Sequence, residues 1–218
     1  MATHTALANQ LGAILKRQNL MLVLAESCTG GMVSQFITSV AGSSAWFDRA
    51  YITYSNQAKM DCLNVSKSTL ERYGAVSEQV AFEMAHGAFN IGPSTDKGVA
   101  DDQLSYQYAN NLNAKNTITT NELTQSKPDV IELKNQSIKS NCFVAASITG
   151  IAGPSNRSVQ PSTNPLDLKP VGLVCFGFTV NNQTSTCTQY FKGTRRQIRL
   201  QASYYVMQHL ITLLSQSN

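Results

Sequence analysis

Met21-Leu22-Val23-Leu24-Ala25 is a short apolar run that leads without a break into Glu26-Ser27-Cys28-Thr29-Gly30-Gly31. A continuous run of this length suits a strand buried in a sheet covered by helices, rather than an amphipathic edge. Helical periodicity lies on both sides of it. Leu7, Leu11, Ile14 and Leu15 predict a helix over Thr5 to Arg17, and Met32, Val33, Phe36 and Val40 predict a second. A buried strand between two helices is the unit of a layered α/β protein.

The rest of the chain repeats that alternation. Tyr51 to Tyr54 is aromatic and β-branched and reads as a strand. Ser66 and Ser77 are expected N-caps of two further helices, with Glu78 favouring the positive end of the second. That second helix turns Val80, Ala81, Met84, Ala85 and Ala88 inward and stops at Gly92-Pro93. Cys142 to Ile148 is the next strand, opening into Thr149-Gly150-Ile151-Ala152-Gly153-Pro154 and then a polar loop that runs to Pro170. Val171 to Val180 and Thr184 to Phe191 form a hairpin about Asn181-Asn182-Gln183. A helix carrying Ile198, Ala202, Tyr205, Val206, Leu210 and Leu213 closes the chain. The late hairpin makes the sheet mixed rather than wholly parallel.

Composition sets the domain organisation. With 218 residues, 42% of them hydrophobic and 14% charged, the chain supports one globular domain with a sizeable core. Ser94 to Asn141 departs from this, being crowded with Asn, Thr, Ser, Gln and Lys, and reads as a polar insertion at about 94–141. The net charge of +4 is spread along the chain apart from Arg195, Arg196 and Arg199, so no nucleic-acid surface is expected. No run spans a bilayer, Met1-Ala2-Thr3-His4 does not open a signal peptide, and the five cysteines lack a Cys-x-x-Cys pair. The expectation is a cytoplasmic protein in a reducing compartment, without a membrane partner, metal or cofactor.

The chemistry is expected at the carboxyl ends of strands, where Glu26 to Gly31 and Thr149 to Pro154 pair hydroxyl residues with glycines. Two such loops suggest a ligand pocket, although Ser27 and Thr149 would also suit tight turns as simple caps. A nucleophilic serine needs a base, and none of His4, His86 and His209 adjoins these loops. Lys59, in Tyr54-Ser55-Asn56-Gln57-Ala58-Lys59, follows a strand end and would serve if desolvated, with Tyr54 assisting it. The alternative is a packed Tyr54 and a solvated Lys59.

These segments together resemble the CinA C-terminal domain family, the nicotinamide-nucleotide amidases. The resemblance is carried by Ala25 to Gly31, Ala41-Gly42-Ser43-Ser44-Ala45-Trp46-Phe47, Tyr54 to Lys59, Gly74-Ala75-Val76-Ser77-Glu78, Thr149 to Pro154 and Lys169-Pro170-Val171-Gly172. Gly193, Arg195, Arg199, Gln201 and Ala202 complete it. It implies a three-layer α/β/α fold with a mixed, mostly parallel sheet, and a single amidase domain over 1–218. It also implies conversion of nicotinamide mononucleotide to nicotinate mononucleotide and ammonia by a homo-oligomer, often a dimer. The chain departs from the family pattern in the 94–141 stretch and in Ser155-Asn156-Arg157-Ser158 after Pro154.

The resulting expectation is acyl transfer. Ser27 attacks the carboxamide, Lys59 takes its proton with help from Tyr54, and N–H groups around Thr29, Gly30 and Gly31 hold the oxyanion. Thr149, Gly150 and Gly153 with Arg195 or Arg199 are expected at the phosphate, the arginines otherwise being surface charge at a helix start. Ser43 and Asn56 fall in matched segments and are expected to touch substrate. Glu26 has three readings: partner of the pyridinium, support for Lys59, or cap of a turn. The rival functional readings are a nucleotide-binding module without catalysis and a protein-interaction subunit built on the insertion.

Overall fold

The computed structural model describes residues 3–91, 143–153 and 169–216. The insertion expected at 94–141 and the loop that begins Ser155-Asn156-Arg157-Ser158 lie outside the described residues.

The first helix, α1 (His4–Gln18), is capped by the Thr3 hydroxyl, which accepts from the Ala6 N–H, and ends at Asn19 in the left-handed region. Lys16 and Arg17 in its last turn complement the helix dipole. Its buried face carries Leu7, Leu11, Ile14 and Leu15, the positions expected from periodicity. Next come β1 (Met21–Glu26), α2 (Met32–Thr38), a single 3₁₀ turn at Ser43–Ala45 and β2 (Phe47–Ile52). Three helices follow, α3 (Asn56–Leu63), α4 (Lys67–Tyr73) and α5 (Glu78–Asn90), then β3 (Phe143–Gly150), β4 (Leu173–Val180), β5 (Gln183–Tyr190) and α6 (Arg195–Gln216).

The five strands form one sheet in the order β2-β1-β3-β4-β5. β1 pairs in parallel with β2 and β3, whereas β4 pairs antiparallel with β3 and β5, so four of the five strands run in one direction. The hairpin between β4 and β5 turns on Asn181 and Asn182, both at positive φ as a two-residue primed turn requires. Alternation along β1 builds two cores. Leu22 and Leu24 join Val144, Ala146, Ile148, Phe176 and Phe178 against α1 and α6. Val23 and Ala25 join Ala145 against Leu63, Leu70, Val80 and Met84 of α3, α4 and α5. The result is the three-layer α/β/α architecture.

Three boundaries differ from the sequence reading. β2 begins at Phe47 and ends at Ile52, earlier than the expected Tyr51 to Tyr54. Among the described residues it is an edge strand paired only with β1, and its Asp48–Arg49 ion pair interrupts the apolar pattern on which the reading depended. α3 was not expected, because its apolar periodicity is weak, yet Ser55 caps it by accepting from the Ala58 N–H at 3.0 Å. β3 continues through Thr149 and Gly150, which pair with Cys175 and Val174 of β4. They are strand residues rather than part of a loop.

Candidate active site

At the carboxyl end of central β1 the Ser27 N–H still donates to the Ile148 carbonyl at 2.9 Å, and the Thr53 N–H donates to the Glu26 carbonyl at 2.9 Å. Strand pairing on both sides therefore holds the backbone at Ser27. The chain then reverses into α2 through Gly30 and Gly31, at φ 57° and 88°, a conformation that favours glycine. Gly31 stands at the N-cap of α2 but has no side chain to cap with. Glu26 supplies that cap from below. Its fully buried carboxylate accepts from the N–H groups of Gly31 (2.9 Å), Val33 (3.3 Å) and Ser34 (2.9 Å) and from the Ser34 hydroxyl (2.6 Å). A carboxylate is favoured by the dipole there. Of the three readings of Glu26, the geometry matches the cap.

This arrangement changes which N–H groups are available. The Gly30 N–H donates to the Ser27 carbonyl at 3.1 Å and that of Gly31 to Glu26, so neither of the expected glycine donors is open. Among the described residues, the N–H groups of Cys28 and Thr29 donate to no carbonyl or side-chain oxygen. The Thr29 hydroxyl is likewise buried without a partner. Arg199, from the first turns of α6, donates to the Thr29 carbonyl and ties the turn to that helix.

Lys59 comes from the α3 turn that Ser55 caps, and its side chain runs back toward the helix N-terminus. It is only 1% exposed. Its Nζ lies 3.1 Å from Ser27 Oγ and 2.7 Å from the Thr53 carbonyl oxygen. Burial disfavours the ammonium and brings its pKa down to about 8. A fraction of the lysine is therefore a neutral amine near physiological pH, within reach of the serine proton. Burial pushes the neighbouring Cys28 thiol up to about 12, which leaves it an unreactive part of the wall.

Ser27, Cys28 and Lys59 sit in a cavity of 750 Å³. Ala75, Val76, Ile151 and Ala152 give it apolar surface, and Tyr54 and Arg195 also line it. Tyr54 is 64% exposed and its hydroxyl accepts from Arg195 Nη2 at 2.9 Å. The hydrogen bond of Tyr54 is thus to Arg195, whereas the sequence reading had Tyr54 assist Lys59. The Ala75–Val76 wall is pinned by side chains from two directions. The Thr149 hydroxyl donates to the Ala75 carbonyl at 2.7 Å, and Lys169 Nζ donates to the carbonyls of Tyr73 and Val76 at 2.6 Å each.

Of the residues expected from sequence, Ser27, Tyr54, Lys59, Thr149, Gly150, Gly153 and Arg195 line one cavity. Glu26, Thr29, Gly30, Gly31 and Arg199 build the turn beneath it. The Thr149 hydroxyl is already engaged with Ala75. A side chain at Gly150 would lie 2.8 Å from Val174 and 3.0 Å from Cys28 Sγ, so the glycine lets the end of β3 pack closely against β4 and Cys28. Gly153 packs against the Arg195 stem, where a Cβ would approach to 3.1 Å. Ser43 is not brought to the site: it opens the 3₁₀ turn ahead of Phe47, at the amino end of β2, whereas the cavity lies at the carboxyl ends of β1 and β3. Asn56 is an exposed first residue of α3 and does not line the cavity. The sequence reading missed Lys169 as a strut and the Thr53 carbonyl as the partner of Lys59. Lys169 stood in a quoted motif without a role, and a backbone carbonyl leaves no side-chain signal.

Among the described residues no group of three or more His, Cys, Asp or Glu is arranged to hold a metal. What the cavity does hold is a hydroxyl in contact with a buried amine, beside Cys28 at the start of a turn whose N–H groups at Cys28 and Thr29 donate to no carbonyl. That arrangement suits attack on a carbonyl carbon.

A family model for the CinA C-terminal domain matches residues 4–101 and 110–214. A nicotinamide-nucleotide amidohydrolase PncC from Enterobacter agglomerans is 37% identical over 203 residues, covering 93% of this chain and 90% of that protein. The protein of the same name from Shigella flexneri is 35% identical over 205 residues, covering 94% and 90%. The crystal structure of a competence damage-inducible protein A from Klebsiella pneumoniae subsp. pneumoniae MGH 78578 covers both chains completely with a TM-score of 0.70. At 22% identity that likeness concerns the fold.

Proposed function

The chain belongs to the CinA C-terminal domain family, and from that premise we propose that it hydrolyses the carboxamide of nicotinamide mononucleotide to nicotinate mononucleotide and ammonia. The names of its relatives support the substrate. The observation that carries the chemistry is the 3.1 Å contact between Ser27 Oγ and the buried Lys59 Nζ.

Ser27 Oγ attacks the carboxamide carbon while its proton passes to the neutral amine of Lys59. The oxyanion that forms is met by the N–H groups of Cys28 and Thr29, in place of the occupied donors of Gly30 and Gly31. Loss of one such donor typically costs about 3–4 kcal/mol in the transition state. The Lys59 ammonium returns its proton to the amide nitrogen and ammonia leaves. Water, deprotonated by Lys59, then cleaves the ester to free Ser27 and the carboxylate product. Arg195 and Tyr54 bind the phosphate end, Arg195 supplying the charge and Tyr54 a hydroxyl held in place by it. Arg199 keeps the turn in place through the Thr29 carbonyl.

The same proposal includes a homodimer acting in the cytoplasm on pyridine nucleotides in salvage. Among the described residues no helix is long and apolar enough to cross a membrane. The test is purified protein incubated with nicotinamide mononucleotide. Ammonia and nicotinate mononucleotide are expected in equal amounts, and binding without either product would replace the enzyme with a nucleotide-binding module.

A further inference from the structure

We propose that the cationic ring of the substrate drives the proton off Lys59, so that the pocket selects for a positively charged pyridine without presenting a carboxylate to it. The inference rests on the amidase reading above and concerns how the same site recognises its substrate.

The geometry requires the two charges to meet. For attack, the carboxamide carbon must come within about 3–3.5 Å of Ser27 Oγ. The pyridinium ring is bonded directly to that carbon, and Lys59 Nζ is 3.1 Å from the same oxygen. Ring and ammonium are thus brought within about 9 Å of each other with the ammonium buried, a separation at which Coulomb repulsion in a protein still favours loss of the proton.

Nothing facing Lys59 among the described residues offsets that repulsion. From the β1–α2 turn come the Ser27 hydroxyl and the Cys28 thiol, and the thiol, held up to about 12, carries no charge at neutral pH. From the end of β2 comes only the Thr53 carbonyl. Glu26 of β1 is committed to the N-terminus of α2. On α5, which packs on α3, Glu83 accepts from Ser66 and Thr69, Glu78 accepts from Thr186 and Thr188, and His86 stacks on Phe82. Arg195 and Arg199 of α6 add positive charge rather than remove it. The cavity lining itself includes no Asp or Glu among the described residues.

Binding of the cation therefore favours the neutral amine. The protonated fraction of Lys59 gives its proton to solvent as the complex forms, leaving the free base that Ser27 needs. A neutral ring of the same shape leaves the proton in place and meets a site with less base. Specificity thus enters through the protonation of Lys59. Starting from a midpoint of about 8, a like charge at this range lowers it by about one to two pH units.

Calorimetric titration of the Ser27→Ala variant in buffers of different ionisation enthalpy counts the protons released on binding. Nicotinamide mononucleotide is compared with its 1,4-dihydro form, which carries the same phosphate on an uncharged ring. At pH 7.5 the cationic ligand is expected to release about half a proton more than the neutral one. That difference disappears in Ser27→Ala/Lys59→Met if it arises from Lys59. In the wild-type enzyme the acid limb of kcat falls at least about one pH unit below that of kcat/KM. Equal proton release by the two ligands, or a difference that persists without Lys59, overturns the inference while leaving the amidase intact. A wild-type enzyme that releases no ammonia from nicotinamide mononucleotide removes the amidase reading and this inference together.

Discussion

Lys59 combines two properties that a surface lysine lacks: it is enclosed, and its amine is within hydrogen-bond distance of a serine hydroxyl. Its burial has a stability consequence. The unfolded chain holds this proton up to about 10.5, the ordinary value for a lysine, whereas the native state releases it near 8. Between those values the unfolded state binds more protons, so native stability rises with pH across that window. Below pH 8 the buried charge costs at most about 3 kcal/mol. Lys59→Met removes that cost but leaves the Thr53 carbonyl without its donor, a loss of about 1–2 kcal/mol. The variant should therefore be more stable than wild type at pH 7 by about 1–2 kcal/mol, a rise in Tm of a few degrees. The advantage should shrink as the pH approaches 10. Its turnover should fall by about 10²–10⁴-fold. Thermal melts at pH 7 and pH 10 with parallel rate measurements check both halves. A Tm gain that does not diminish with pH would mean that the charge is not the cause.

At the scale of elements, the β1–turn–α2 unit depends on a carboxylate that no substrate touches in this account. Glu26→Gln keeps the shape but replaces an oxygen that accepts from backbone N–H groups with an NH₂ that cannot. The variant should lose about 1–3 kcal/mol of stability. Because the turn carries the Cys28 and Thr29 N–H groups, kcat should fall more than KM rises. A change confined to KM would return Glu26 to the substrate. Much of this unit was legible in the sequence, because β1 is continuously apolar and Gly30-Gly31 marks the reversal. The cap was not, because Gly31 occupies the position where a capping side chain is sought and Glu26 reaches it from five residues earlier. α3 was hidden for a related reason. Its buried anchor is a lysine, which periodicity scores as polar, and its apolar pattern is weak. β2 was displaced because the Asp48–Arg49 pair occupies the middle of an edge strand.

For the whole molecule, the order β2-β1-β3 places Ser27 between two neighbouring strands, and pairing becomes antiparallel from β4 to β5 on the far side of β3. The layered α/β arrangement followed from the alternation of the chain and its three-layer form from the family resemblance, while Ser43 was misplaced because its motif gives no indication of which end of a strand it adjoins. We propose that the 94–141 stretch is an insertion and that deleting it with a short linker leaves an active amidase. The family match extends through residue 101 and resumes at 110, so deletion of 102–109 alone is the milder companion variant. Activity and molecular mass distinguish the outcomes: unchanged values mark a passenger, and loss of turnover in a folded protein marks a part of the site. The most direct test of the central claim is ammonia release from nicotinamide mononucleotide by wild type and Ser27→Ala, assayed side by side. The account predicts steady release by the wild type and a fall of at least about 10³-fold in the variant with its fold intact. Equal rates from the two proteins would contradict it.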